Sequence, residues 1–143
     1  MLCFYSRLKE PETAHNWLQE IFKRFTRENL MTVSPKGIAS AEYDIFSFDA
    51  TEASVAGMCE MLLQSYDGFV ELLPALPRVW SDGSVRGLCA EGGLVVDMDW
   101  TDGRVSSATL HATVGNRFVL RVPGRESPVM VTLKTGESKT VTF

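Results

Sequence analysis

The chain has 143 residues, 45% of them hydrophobic and 22% charged, with a formal net charge of −4. Apolar residues are too plentiful for a disordered chain, and this length buries about 68–70% of the unfolded surface, enough for a core without staples. The acidic balance argues against a nucleic-acid or anionic-membrane partner, and no apolar run approaches the roughly 18–20 residues that cross a bilayer.

The amino terminus, MLCFYSRLKE, reads without a signal peptide, since no basic segment leads into an apolar one. Residues 1–68 read as helical. Pro11 suits a first helical position, Glu12 the first turn, and Lys23, Arg24 and Arg27 the far end, as the helix dipole favours. Between them Trp17, Leu18, Ile21, Phe22 and Phe25 share one helical face. Residues 31–44, with Pro35 and Gly37, break the period and read as a loop. A further helix is expected from Asp49 or Thr51 to Tyr66. Its Val55, Ala56, Met58, Cys59, Met61, Leu62 and Leu63 spread around most of the circumference, which predicts burial on nearly all sides.

Residues 69–143 read as strands. Leu94, Val96, Met98 and Trp100 alternate with polar or outward positions up to Asp102-Gly103, and the alternation resumes through Ala108, Leu110 and Ala112. An Asp-Gly pair between two alternating runs predicts a hairpin. Gly115-Asn116 predicts a second hairpin turn before Phe118, Leu120 and Val122. Pro123-Gly124 and Thr135-Gly136 set off two more strands, 129–133 and 141–143. The expected class is α+β: two to three N-terminal helices followed by an antiparallel β-sandwich. Two helices with wide apolar faces cannot cover each other, so part of that surface expects a partner outside these residues.

Cys3, Cys59 and Cys89 are odd in number and widely spaced, which predicts reduced, buried thiols and neither a disulfide framework nor a zinc site. His15 and His111 stand apart from each other and from carboxylate clusters, His111 on the outer strand face, so no metal or other cofactor is expected. Asp97 and Asp99 share a strand face and could be read as paired carboxylates, but a solvated strand face is the far commoner reason for such alternation.

The segment Glu60-Met61-Leu62-Leu63-Gln64-Ser65-Tyr66-Asp67-Gly68, then Glu71-Leu72-Leu73-Pro74-Ala75-Leu76-Pro77, is specific and non-repetitive. With Trp80, Gly83-Ser84-Val85-Arg86-Gly87-Leu88, Gly92-Gly93 and Val96-Asp97-Met98-Asp99-Trp100, it resembles the carboxy-terminal region of glycoside hydrolase family 95, the α-L-fucosidase family. The resemblance implies that residues 1–68 correspond to the last helices of an (α/α)6 barrel and residues 69–143 to the carboxy-terminal β-domain. It implies an inverting glycosidase, in which one carboxyl group protonates the leaving oxygen and another activates water. The family's base aspartate lies in a "FQIDGNFG" motif eleven residues before the glutamate of "EMLLQS"; the same spacing from Glu60 reaches Asp49. Ala50, Thr51 and Glu52 stand where the family has Gly, Asn and Phe, a bulkier and more acidic neighbourhood. The family's acid and its water-holding asparagines have no counterpart here.

Two readings of Asp49 stand side by side: inherited base, and helix N-cap with Glu52 reaching back in a capping box. Trp80 and Trp100 have two readings as well, sugar-stacking platform or core and rim. The expected function is therefore a carboxy-terminal part of a glycosidase resembling α-L-fucosidases or related α-L-galactosidases, acting on a fucosylated or galactosylated glycan. Its expected partner is the missing barrel, and the chain alone should be inactive because it lacks the acid and the pocket walls. The alternative is a stand-alone carbohydrate-binding module that covers its apolar helices by self-association.

Overall fold

A computed structural model describes residues 1–143, the Ala39 side chain apart. Three helices come first: α1 (Leu2–Arg7), α2 (Pro11–Phe25) and α3 (Phe48–Leu62). Helix α2 has no side-chain cap at Glu10; Pro11 begins it, Glu12 sits in its first turn, and Lys23 and Arg24 sit in its last. Between α2 and α3 a short ribbon pairs β1 (Val33–Ser34), inside the segment expected to be a plain loop, with β2 (Ile45–Phe46), just past its end. Helix α3 stops at Leu62, four residues before the expected Tyr66, because Leu63 and Gln64 leave as strand β3 (Leu63–Gln64). Periodicity could not separate the two outcomes, since an apolar run serves a helix or a strand equally well. The choice falls to β3 because its backbone pairs with β4 (Val70–Leu72), while the Gln64 side-chain Nε2 donates to the Glu60 carbonyl that the helix end leaves free.

The remaining strands are β5 (Gly83–Ala90), β6 (Leu94–Thr101), β7 (Arg104–Ala112), β8 (Asn116–Arg121), β9 (Val129–Leu133) and β10 (Ser138–Thr142). They form two four-stranded sheets, ordered β10-β7-β6-β5 and β3-β4-β8-β9. All neighbours are antiparallel except β4 and β8. The fold is α+β. Alternate residues of β6 and β7, among them Val96, Met98, Ala108 and Leu110, are buried together with Leu72, Phe118, Leu120, Val131 and Leu133 of the other sheet, so one core lies between the two. The β6–β7 turn is the predicted one: Asp102 and Gly103 both have positive φ, 52° and 71°, as a type I′ turn requires. The expected hairpin at Gly115-Asn116 is not formed. Strands β7 and β8 lie in different sheets, and Gly115 makes the crossing; a Cβ there would stand 2.9 Å from the Thr135 amide nitrogen.

A second, smaller core joins the helices to the β-region through Leu2, Ala14, Leu18, Met61 and Ala75, with Trp80 packed at its edge. Residues 72–77 are the seam. Leu72 and Leu73 belong to the core between the sheets, Ala75 to the helical core. The Leu73 and Ala75 amides donate to the Leu62 and Met61 carbonyls at 2.8 and 3.1 Å, satisfying acceptors that the end of α3 leaves open. The expectation of wide burial for α3 fails: only Ser54, Gly57 and Met61 are buried, while Phe48 and Val55 stand open. Of the three free cysteines, Cys3 and Cys59 are half-buried and Cys89 is exposed, not buried as expected.

Candidate functional site

Asp49 occupies the first turn of α3, one residue inside the helix, where the dipole favours a carboxylate. The cap position belongs to Ser47, whose hydroxyl donates to Asp49 Oδ1 at 2.7 Å. Asp49 is therefore not the N-cap, and no side-chain capping bond forms at this helix start. The β1–β2 ribbon fixes the approach: the Ser47 amide donates to the Thr32 carbonyl at 2.9 Å, the Thr32 hydroxyl bonds the Ser47 carbonyl, and it pairs with the Thr51 hydroxyl at 2.6 Å. Asp49 is exposed, with Oδ2 free of protein partners among the described residues, and the neighbouring Phe46 and Phe48 rings are 6.3 Å apart between centroids. One carboxylate oxygen of Asp49 is thus held and the other is open to solvent.

The two tryptophans lie elsewhere. Met61, in the core that Trp80 borders, is twelve residues along α3 from Asp49, about 18 Å at 1.5 Å per residue. Trp80 ends a 3-10 turn, is half-buried, and meets the His15 ring edge-to-face at 5.7 Å. Trp100 is 7% exposed, its Nε1–H donates to the Trp80 carbonyl at 2.8 Å, and its ring covers Gly83. The pair ties the helical region to the β-region, which leaves the Trp100 face no room for a sugar.

A polar network not foreseen in the sequence crosses the outer face of the β5–β6–β7–β10 sheet. His111 is half-buried and bridges Asp97 Oδ2 at 3.0 Å and the Ser138 hydroxyl at 2.8 Å. It is thus not isolated from carboxylates: antiparallel register places it diagonally across from Asp97 and directly opposite Ser138. Asp97 Oδ1 accepts the Gly87 amide at 2.7 Å, and Asp99 accepts Arg86 at 2.6 Å and the Ser107 hydroxyl at 3.2 Å. The Gly87 N–H, and secondarily His111, hold Asp97 below the ordinary carboxylate range; Arg86 does the same for Asp99. The order Asp-His-Ser invites comparison with an acyl-transfer triad. Here, however, the serine stands exposed on an open sheet face, and the carboxylates grip the register shift at Arg86-Gly87, so the network acts as a clamp across four strands. The pair of carboxylates on one strand, Asp97 and Asp99, was visible in the sequence; the groups they join in the network, on three other strands, were not.

A two-sheet β-region is entered from a helix through the 72–77 seam, with a carboxylate in the first turn at that helix's far end. Residues 64–142 match the description "Glycoside hydrolase family 95, C-terminal domain". Over 79 residues the chain is 43% identical to Alpha-L-fucosidase 2 of Arabidopsis thaliana, a match that covers 53% of this chain and 9% of that protein. The chain belongs to glycoside hydrolase family 95. Asp49 lies outside the residues matched to the family's C-terminal domain.

Proposed function

We propose that the chain serves as the carboxy-terminal part of an inverting glycosidase of α-L-fucosidase or related α-L-galactosidase type. Residues 1–68 supply the last helices of an (α/α)6 barrel, and residues 69–143 supply a β-sandwich that buttresses them. Asp49 is the base that activates water. The observation that carries this reading is the family match over residues 64–142, directly downstream of a helix that begins with an exposed, singly bonded aspartate. The open Phe46, Phe48 and Val55 support it, because apolar residues of this size are ordinarily covered, here by the rest of the barrel. Inversion requires a general acid about 6.5–9.5 Å from the base across the sugar. In this reading the acid comes from the barrel, so the chain alone is inert. The purified chain should release no product from an aryl α-L-fucoside, and turnover abolished by Asp49→Asn would contradict the proposal.

The same open apolar surface favours a second reading, a self-associating, glycan-binding module without catalysis. It predicts a dimer or larger species by sedimentation, and glycan binding weakened by Trp80→Ala. A monomer without glycan affinity removes it.

A further inference from the structure

Thr32 is 3% exposed and sits where three segments meet. Its backbone bridges Thr26, the residue just past α2, and its carbonyl accepts the Ser47 amide at 2.9 Å. Its hydroxyl bonds both the Ser47 carbonyl and the Thr51 hydroxyl. A carbonyl only accepts and a hydroxyl carries one proton, so the direction of each bond is settled. Thr32 donates to Ser47, and Thr51, four residues on in α3, donates to Thr32 at 2.6 Å. One buried residue therefore holds Ser47 by both its N–H and its carbonyl. The Ser47 hydroxyl in turn donates to Asp49 Oδ1 at 2.7 Å.

We propose, on the reading of Asp49 as the base, that Ser47 and Thr32 are positioning residues for it. Thr32 ties the Ser47 backbone to the end of α2, and the Ser47 hydroxyl fixes the carboxylate with Oδ2 as its free oxygen. Both act through Asp49. An exposed aspartate has no packing to select one of its staggered rotamers. A charge-assisted bond from a hydroxyl on a fixed backbone supplies that selection. The selection matters because displacing a reacting group by about 1 Å can cost about 10²-fold in rate. Thr51, one of the departures from the family motif, closes the same brace.

The first test uses the 143-residue chain labelled with ¹³C and ¹⁵N, and reads the Asp49 χ1 angle from three-bond couplings. One rotamer is expected in the parent, and averaging in Ser47→Ala and in Thr32→Val. Ser47→Thr and Thr32→Ser, which keep the hydroxyls, should restore the single rotamer. Averaging in the parent, or a single rotamer in Ser47→Ala, overturns the proposal. The second test is turnover of an aryl α-L-fucoside after the chain is grafted onto the barrel of the Arabidopsis Alpha-L-fucosidase 2. Ser47→Ala and Thr32→Val should each lower kcat by about tenfold or more with KM nearly unchanged, and Ser47→Thr should recover most of the loss. A change in KM alone, or no recovery with Ser47→Thr, marks a merely structural effect and overturns the proposal. Asp49→Asn separates the two claims in the same graft. Turnover lost in Asp49→Asn but intact in Ser47→Ala removes the positioning role alone, whereas turnover indifferent to Asp49→Asn removes the base and the positioning role together.

Discussion

Alanine at Gly83 tests whether Trp100 is a structural bolt. The strand β5 backbone at Gly83 lies under the indole, and a Cβ built there falls 2.4 Å from Cζ2 and 2.8 Å from Cε2. Carbon atoms pack best at about 3.5–4.0 Å, so ring or strand must yield by about 1 Å. The ring is poorly placed to yield, because its N–H is bonded to the Trp80 carbonyl and its edges lie in the core. Overpacking of this kind costs about 1–3 kcal/mol. Alanine recovers about 0.5–1 kcal/mol over glycine in a strand, so the clash wins and Gly83→Ala should lose about 0.5–2 kcal/mol. Thermal unfolding followed by far-ultraviolet circular dichroism reads that loss. The same substitution in a Trp100→Phe background meets a smaller ring, and its cost should shrink toward zero, a coupling that a double-mutant cycle isolates. A Gly83→Ala protein more stable than the parent, or an equal cost in both backgrounds, would refute the packing assigned to this pair.

Met61 is fully buried in the small core that joins the helices to the seam, so Met61→Ala should destabilise by about 2–5 kcal/mol in chemical denaturation. Asp97 has a depressed folded-state pKa, so its contribution to stability is complete above the ordinary carboxylate value of about 3.9 and is lost as pH falls through the depressed one. Asp97→Asn should accordingly be less stable than the parent above about pH 5, with the gap closing in acid; a gap independent of pH would exclude the ionised clamp. Thiol labelling should reach exposed Cys89 first and Cys59 last, because burial pushes the Cys59 thiol up; Cys59 reacting first would contradict the burial assigned to it.

Local signals were legible where one physical cause dominates. Asp102-Gly103 dictates its turn because both positions need positive φ, and the strict alternation of Leu94, Val96, Met98 and Trp100 leaves one register that buries them all. Pro11 and the charges of α2 mark its ends for the same reason. The failures occur where a distant partner decides. Leu63 and Gln64 become strand only because residues 71–72 offer a ladder, and Gly115 becomes a sheet-to-sheet crossing because β8 finds β4 and β9. The His111 network needs β6, β7 and β10 in register before it exists, and β10 lies 27 residues or more beyond His111 in the chain. Asp49 was legible as a residue of interest by its spacing from Glu60, but its neighbourhood was not: Thr32, seventeen residues earlier, orders the Ser47 turn beside it. The hydrogen bond from the Glu91 amide to the Ser65 hydroxyl is equally silent in sequence, since its two groups are 26 residues apart.

The central claim is that Asp49 activates water once a barrel surrounds it. It is tested most directly in a chimaera in which this chain replaces the matching end of the Arabidopsis Alpha-L-fucosidase 2. With Asp49 in place the chimaera should hydrolyse an aryl α-L-fucoside, and Asp49→Asn should lower kcat by about 10²–10⁴ with KM nearly unchanged. An active chimaera indifferent to that substitution would contradict the account.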